Sequence, residues 1–155
     1  MRKISDIIGI PVFSSADGMR LGTVCDVLYS SRTAELFGYY VSVGGAMRYI
    51  KFISAENIDN FSESCFWVKN KDVLTNRKRL PSNGELKLYK KDTSGISCSV
   101  NGSRAGRVSD MLAESRKIAQ LELSNGFAED ILNGRKNISV NNGFNFGNNN
   151  IEIND

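Results

Sequence analysis

The chain has 155 residues, of which 41% are hydrophobic and 24% charged, with a formal net charge of +3. This composition excludes disorder throughout, and no run approaches the roughly 18 consecutive apolar residues of a membrane-spanning helix. Histidine is absent and the cysteines (Cys25, Cys65, Cys98) are far apart, which disfavours acid-base catalysis, a disulfide framework and a CxxC metal site. We therefore expect no enzymatic activity, no cofactor and no metal and, because no secretory signal is recognisable at the start, a cytoplasmic location.

In chain order, the first predicted element is a hairpin turn at residues 17–18, an Asp-Gly pair that tolerates positive φ. Gly22 follows where a strand opens, and a glycine there allows a bulge or tight bend. Residues 36–43 and 48–53 are rich in branched and aromatic side chains, which predicts two further strands. Residues 54–58 are predicted to form one helical turn, with Ser54 as its cap.

The same pattern returns later in the chain. Residues 17–28 (DGMRLGTVCDVL) align without a gap with residues 101–112 (NGSRAGRVSDML). Three shorter matches follow in the same order: 41–45 with 121–125, 55–58 with 128–131, and 66–68 with 138–140. Matches that keep their order indicate an internal duplication.

The duplication predicts two tandem domains, at residues 1–75 and 87–140, joined by a basic linker at residues 76–86. The remaining residues, 141–155, are rich in Asn and Gly, and their alternating end at 151–153 could add a strand.

The spacing G-x-x-x-G-x-V-x-D-x-L resembles the opening of PRC-barrel domains, which are known from the photosynthetic reaction centre H subunit and the ribosome maturation factor. The resemblance implies an all-β fold of two tandem small PRC-type β-barrels. Its residues, to which we assign turn and fold roles, are Gly18, Gly22 and Asp26 in the first copy and Gly102, Gly106 and Asp110 in the second. The sequence departs from the family at Phe52-Ile53, where an Ile-Pro or Leu-Pro step is common, and the second copy is compressed after Leu123.

The two repeated aspartates, Asp26 and Asp110, share the strand parity of their apolar neighbours. A carboxylate on an inward face is costly unless it is hydrogen-bonded. We expect that a bulge turns each one outward, or that it caps backbone amides at the barrel rim. A residue that recurs in both copies is more readily explained by the fold than by a binding or catalytic role.

Two aromatic residues of the first copy stand opposite polar residues of the second in this alignment: Tyr40 opposite Gln120, and Trp67 opposite Ser139. Strand alternation turns both aromatics away from the barrel core. They predict an interface with the other barrel or with a partner, and the alternative is that a terminus or loop covers them.

The linker contains Arg77, Lys78 and Arg79, which could contact RNA or another anion. No aromatic side chains are interleaved with them, so a solvated linker is the simpler interpretation. The sequence thus predicts a non-enzymatic bacterial binding or adaptor protein that docks a protein partner or assembles with itself. The alternative is an RNA- or ribosome-associated factor that uses the basic linker.

Overall fold

β-strands are the main elements of the fold in a computed structural model that describes residues 1–62, 64–76, 84–141, 143–147 and 149–154. The strands of the first half are β1 (Arg2–Lys3), β2 (Pro11–Ser14), β3 (Arg20–Ser30), β4 (Leu36–Val43), β5 (Tyr49–Ser54), β6 (Ile58–Phe61), β7 (Phe66–Val68) and β8 (Thr75–Asn76). Those of the second half are β9 (Leu86–Leu88), β10 (Ser97–Val100), β11 (Ser103–Glu114), β12 (Lys117–Ser124), β13 (Lys136–Ser139), β14 (Asn145–Gly147) and β15 (Asn150–Ile153). The helical elements are 3-10 turns at Ile4–Asp6, Ala55–Asn57 and Lys71–Val73, a π-helical turn at Tyr89–Thr93, and the helix α1 (Phe127–Asn133).

Two sheets contain these strands. The first has the order β6-β7-β2-β3-β4-β5-β8, with β9 paired to β3. The second has the order β13-β12-β11-β10-β15-β14, with β1 paired to β11. The predicted all-β class is therefore confirmed.

The two sheets are built on the same plan around their first hairpins. β2 and β3 are antiparallel, as are β10 and β11. The turns between them contain Gly18 and Gly102, whose φ values of 72° and 82° lie where glycine is favoured. A parallel strand then pairs with the first strand of each hairpin: β7 with β2, and β15 with β10.

The pairing of β3 with β4, and of β11 with β12, corrects the sequence alignment by two residues. Asp26 pairs with Tyr40, and Asp110 pairs with Glu122. Because the aspartates are the matched residues of the repeat, Tyr40 corresponds to Glu122 and not to Gln120. A slip of two residues keeps the alternation of the strand, so the hydrophobic pattern alone could not reveal it.

The counterpart assigned to Trp67 was also wrong. Trp67 pairs with Phe13 on β2, whereas the equivalent strand pair joins Glu152 of β15 to Ser99 of β10. Trp67 therefore corresponds to Glu152. Ser139, which the alignment had placed opposite it, lies on β13 and pairs with β12, as β5 pairs with β4.

Two local expectations need similar correction. The turn after β5 is the 3-10 turn Ala55–Asn57, but the Ser54 side chain does not cap it and instead donates a hydrogen bond of 3.3 Å to the Glu56 carboxylate. In the second copy, the helix α1 follows β12, where the first copy has the loop between β4 and β5. The strand that pairs with β12, as β5 pairs with β4, is therefore β13, which comes after this helix.

One hydrophobic cluster contains residues from both sheets, among them Val24 and Tyr39 of the first and Val108 and Leu121 of the second, each at most 3% exposed. The two sheets therefore share a core. Such sharing explains how a chain with two small sheets buries enough apolar surface to fold.

Candidate docking surface

The segment that precedes each copy crosses to the other copy. We call residues 2–6 the first arm and residues 86–93 the second arm. The first arm begins with β1, which pairs with β11 of the second sheet, and the second arm begins with β9, which pairs with β3 of the first sheet. Each sheet thus holds a strand donated from outside its own copy.

Asp26 binds the second arm to the first sheet. It lies at a bulge in β3, and its carboxylate accepts hydrogen bonds from the backbone amides of Lys90 at 2.8 Å and Lys91 at 3.3 Å. It also accepts one from the amide of Val27 at 2.8 Å. Burial raises the pKa of Asp26, and the three amides act in the opposite direction.

Asp110 does the same for the first arm. It too lies at a bulge, and its carboxylate accepts hydrogen bonds from the amide of Ser5 at 3.2 Å, from the hydroxyl of Ser5 and from the amide of Met111 at 2.8 Å. The pKa of Tyr89 is raised by burial and by its side-chain hydrogen bond to Asp110. Bulging and amide capping thus occur together at both repeated aspartates, and these contacts join one copy to the other. The expectation that the bulge turns them outward was wrong, since both carboxylates are buried against the arms.

The hairpin tips of the two sheets also pair with each other. The amide of Ile118 donates to the carbonyl of Ala34, and the amide of Leu36 donates to the carbonyl of Arg116, both at 2.8 Å. Backbone hydrogen bonds therefore link the copies at the arms and at the tips.

An ion cluster supports the first arm on the second sheet. The buried carboxylate of Glu122 contacts the ammonium of Lys3 and the guanidinium of Arg135, each at 2.8 Å, and accepts a hydrogen bond from Ser109 at 3.0 Å. Burial acts to raise the pKa of Glu122, but these hydrogen bonds outweigh it and the pKa is lowered. On the first sheet, the place of Glu122 is taken by Tyr40.

Cutting the linker should therefore leave the two copies together. A protease recognition sequence between Asn76 and Gly84 would allow cleavage after folding. We expect the cut protein to elute as a single species of unchanged mass in size-exclusion chromatography with light scattering, because each half holds the arm of the other. The same cleavage in a chain with Asp26→Ala and Asp110→Ala serves as the comparison and should release the halves more readily. Separation of the unaltered protein on cleavage would contradict this expectation.

The two aromatic residues predicted to form an interface are already in contact with their own sheet. Tyr40 is half-buried, with its ring edge-on to Phe52 at a centroid distance of 6.5 Å. Trp67 is also half-buried and stacks on Phe13 at 5.2 Å. Neither is among the large exposed apolar side chains, so each offers a partner only part of its surface. The other predicted contact residues, Arg77, Lys78 and Arg79, lie outside the described residues.

A different part of the first sheet exposes apolar side chains. We define the hairpin end as the turn at residues 15–19 and the loop at residues 44–48, together with the flanking residues Arg20, Leu21, Tyr49 and Lys51. Met47 is 83% exposed, Met19 63% and Tyr49 57%. The pairing of β3 with β4 puts this end opposite the hairpin tips that join the two copies.

Two open grooves lie beside the loop of the hairpin end. The first has a volume of about 650 Å³, within the range of roughly 300 to 1,000 Å³ usual for ligand clefts, and is lined by Arg20, Leu21 and Arg48 among others. The second, of about 450 Å³, is lined by Leu21, Tyr49 and Lys51 among others. The sequence prediction missed this surface: Tyr49 falls inside the strand predicted at residues 48–53, and Met47 lies between that strand and the preceding turn. The Gly44-Gly45 turn was the signal that could have found it.

The described residues contain no group of three or more side chains suited to hold a metal ion. Nor does any helix in the described part of the chain combine the length and hydropathy needed to cross a membrane.

A curled, mostly antiparallel sheet built on a glycine-containing hairpin, with a bulged aspartate in the long second strand of that hairpin, is the architecture of a small β-barrel module. Residues 1–62, from β1 to β6, match the family model of the PRC-barrel domain. The family recognised from the sequence is thus confirmed for the first copy, while membership of the second copy stays a prediction. A search of curated proteins found no match to the chain.

Proposed function

We propose that this chain is a non-enzymatic binding or adaptor protein and that its hairpin end docks a protein partner. One observation carries the proposal: Met19, Met47 and Tyr49, all at the same end of the first sheet, are each more than half exposed. Large apolar side chains exposed near one another are typical of interaction sites in folded proteins. Methionine suits such a site because its flexible side chain adapts to the surface it meets.

The first sheet, which carries the hairpin end, supports the same interpretation. The loop of the hairpin end joins β4 and β5, which pair over six residues from Gly38 to Val43. The arms and the hairpin tips anchor the opposite end of this sheet to the second copy. A loop on a rigid sheet loses little conformational entropy on binding, which favours affinity. The match to the PRC-barrel family supports an interaction module rather than a catalyst.

The test compares the partners captured by the native protein with those captured by one double variant, Met47→Ser, Tyr49→Ser, which we call the hairpin-end variant. The matched control is Ile131→Ser, Leu132→Ser, which removes two exposed apolar side chains of α1. After crosslinking in the source cell and mass spectrometry, we expect the hairpin-end variant to lose its partner by at least about tenfold, since exposed anchors of this kind often dominate binding. The control should retain it.

Equal thermal stability of the three proteins would show that the substitutions act on binding. Loss of the partner in the control alone would contradict the proposal, as would unchanged capture by the hairpin-end variant. Capture of RNA that falls steeply as salt rises, and that disappears when Arg77, Lys78 and Arg79 are replaced by Ser, would favour the RNA-associated alternative instead.

A further inference from the structure

The grooves of the hairpin end are rich in positive charge. Arg20 and Arg48 line the first groove, and Lys51 and Lys71 line the second. The lining carboxylate is Asp72, in the second groove. Asp17, in the turn of the hairpin end, is a second carboxylate, so four cations stand against two carboxylates where a partner would lie.

Among the described residues, none of these four cations is in a salt bridge. Arg20 donates a hydrogen bond of 2.6 Å to the neutral hydroxyl of Thr23, and the ammonium of Lys51 lies 5.9 Å from the centre of the Tyr49 ring. In the part of the chain that the structure describes, the salt bridges occur elsewhere, at Glu85, Glu122 and Asp130. A partner that covered these cations without supplying negative charge would leave them poorly solvated and uncompensated.

Both grooves have apolar as well as charged side chains in their lining. Leu21 lines both of them, and Val43 and Leu74 line the second. Met47, in the loop beside the grooves, is 83% exposed, so a flat surface such as a bilayer would contact this side chain as well as the groove lining. A narrow chain segment can lie in a groove and place side chains on the floor and on the rim at the same time.

We propose that the hairpin end binds a protein segment in which acidic and apolar side chains are interspersed. This rests on the proposed function and names the chemistry of the partner at the same surface. The apolar side chains contact Leu21 and its neighbours, and the carboxylates pair with Arg20, Arg48 and Lys51. Binding weakens as salt rises, because the rim charges are exposed.

The probe is a short, end-blocked peptide of alternating Glu and Leu, titrated into the isotopically labelled full chain and followed by NMR. We expect amide shifts confined to the hairpin end, and weaker binding by about tenfold or more for Arg20→Glu, Arg48→Glu. Arg104→Glu, Lys136→Glu, which reverses two exposed cations of the second sheet, is the matched control and should bind like the native protein. Shifts with an equivalent Lys-Leu peptide should be absent.

No hairpin-end shifts with the Glu-Leu peptide would overturn the proposal, as would equal shifts with the Lys-Leu peptide. Perturbation of the hairpin end by phosphatidylglycerol-containing vesicles without any peptide response would overturn it in favour of a lipid surface. The charge-reversal pair is also run in the cellular crosslinking test. If the charge-reversal variant keeps a partner that the Met47→Ser, Tyr49→Ser variant loses, the proposed function stands and the proposal of an acidic segment is wrong. If both variants keep the partner, the proposed function and the acidic segment are both wrong.

Discussion

Replacing Asp110 with Ala should lower the free energy of unfolding by about 3 kcal/mol or more, a large loss for a single substitution. The buried carboxylate accepts hydrogen bonds from Ser5 and Met111, and its removal leaves backbone amides of both without this acceptor. The substitution also removes one of the contacts that hold the first arm on the second sheet, beside the β1–β11 pairing and the Lys3–Glu122 ion pair. Urea denaturation followed by circular dichroism measures the change.

Asp26→Ala should cost a similar amount, because Asp26 holds the second arm in the equivalent way. Asp110→Asn keeps one acceptor oxygen and should cost less than Asp110→Ala. Asp59→Ala, at an exposed position, serves as the control and should stay within about 0.5 kcal/mol. If Asp110→Ala were as mild as the control, the arm would not depend on this carboxylate.

Replacing Gly22 with Ala should destabilise the protein by about 3 kcal/mol, at the upper end of the usual cost of overpacking. A Cβ atom there would meet the backbone carbonyl oxygen of Ser42 and would lie 2.7 Å from Cγ1 of Val41. The backbone of β4 cannot move away without disturbing its pairing with β5. Thermal and chemical denaturation both report the loss.

Gly45→Ala is the matched control for this substitution. Gly45 has no atom within 4 Å of the place a Cβ would occupy, and its φ lies outside the left-handed region. The control should change the free energy of unfolding by less than about 1 kcal/mol. Equal effects at the two positions would show that β3 and β4 do not approach as closely as described.

Local chemistry made the hairpin turns predictable from the sequence. Asn101-Gly102 forms a two-residue turn in which both residues have positive φ, as the residue types require. Gly106 has a φ of 143°, and a Cβ there would lie 2.9 Å from the carbonyl oxygen of Ser124. At these positions the backbone has a positive φ or approaches a neighbouring strand closely. Glycine and asparagine are the residues that tolerate such conformations, so the residue type itself predicts them.

The candidate surface was only partly predictable. Strand alternation described β4 well, since Tyr39 and Val41 are buried and Tyr40 between them is half-buried. Alternation does not predict what packs against the outward face of β4. In the structure, the ring of Phe52 occupies the space beside Gly38 and contacts the ring of Tyr40. The exposure of Met47 depends on the length of the loop beyond β4, which no periodicity describes.

The sequence by itself determined the all-β class, the paired hairpin turns and the repeated aspartates, because turn residues and alternation act through near neighbours along the chain. Only the tertiary structure decided which copy each arm joins. Asp26 and Lys90 are 64 residues apart, and Ser5 and Asp110 are 105 apart. A carboxylate at a bulge needs amides to bind, but the sequence does not say which segment supplies them. That choice follows from how the two sheets pack around one shared core, where each arm completes the other copy.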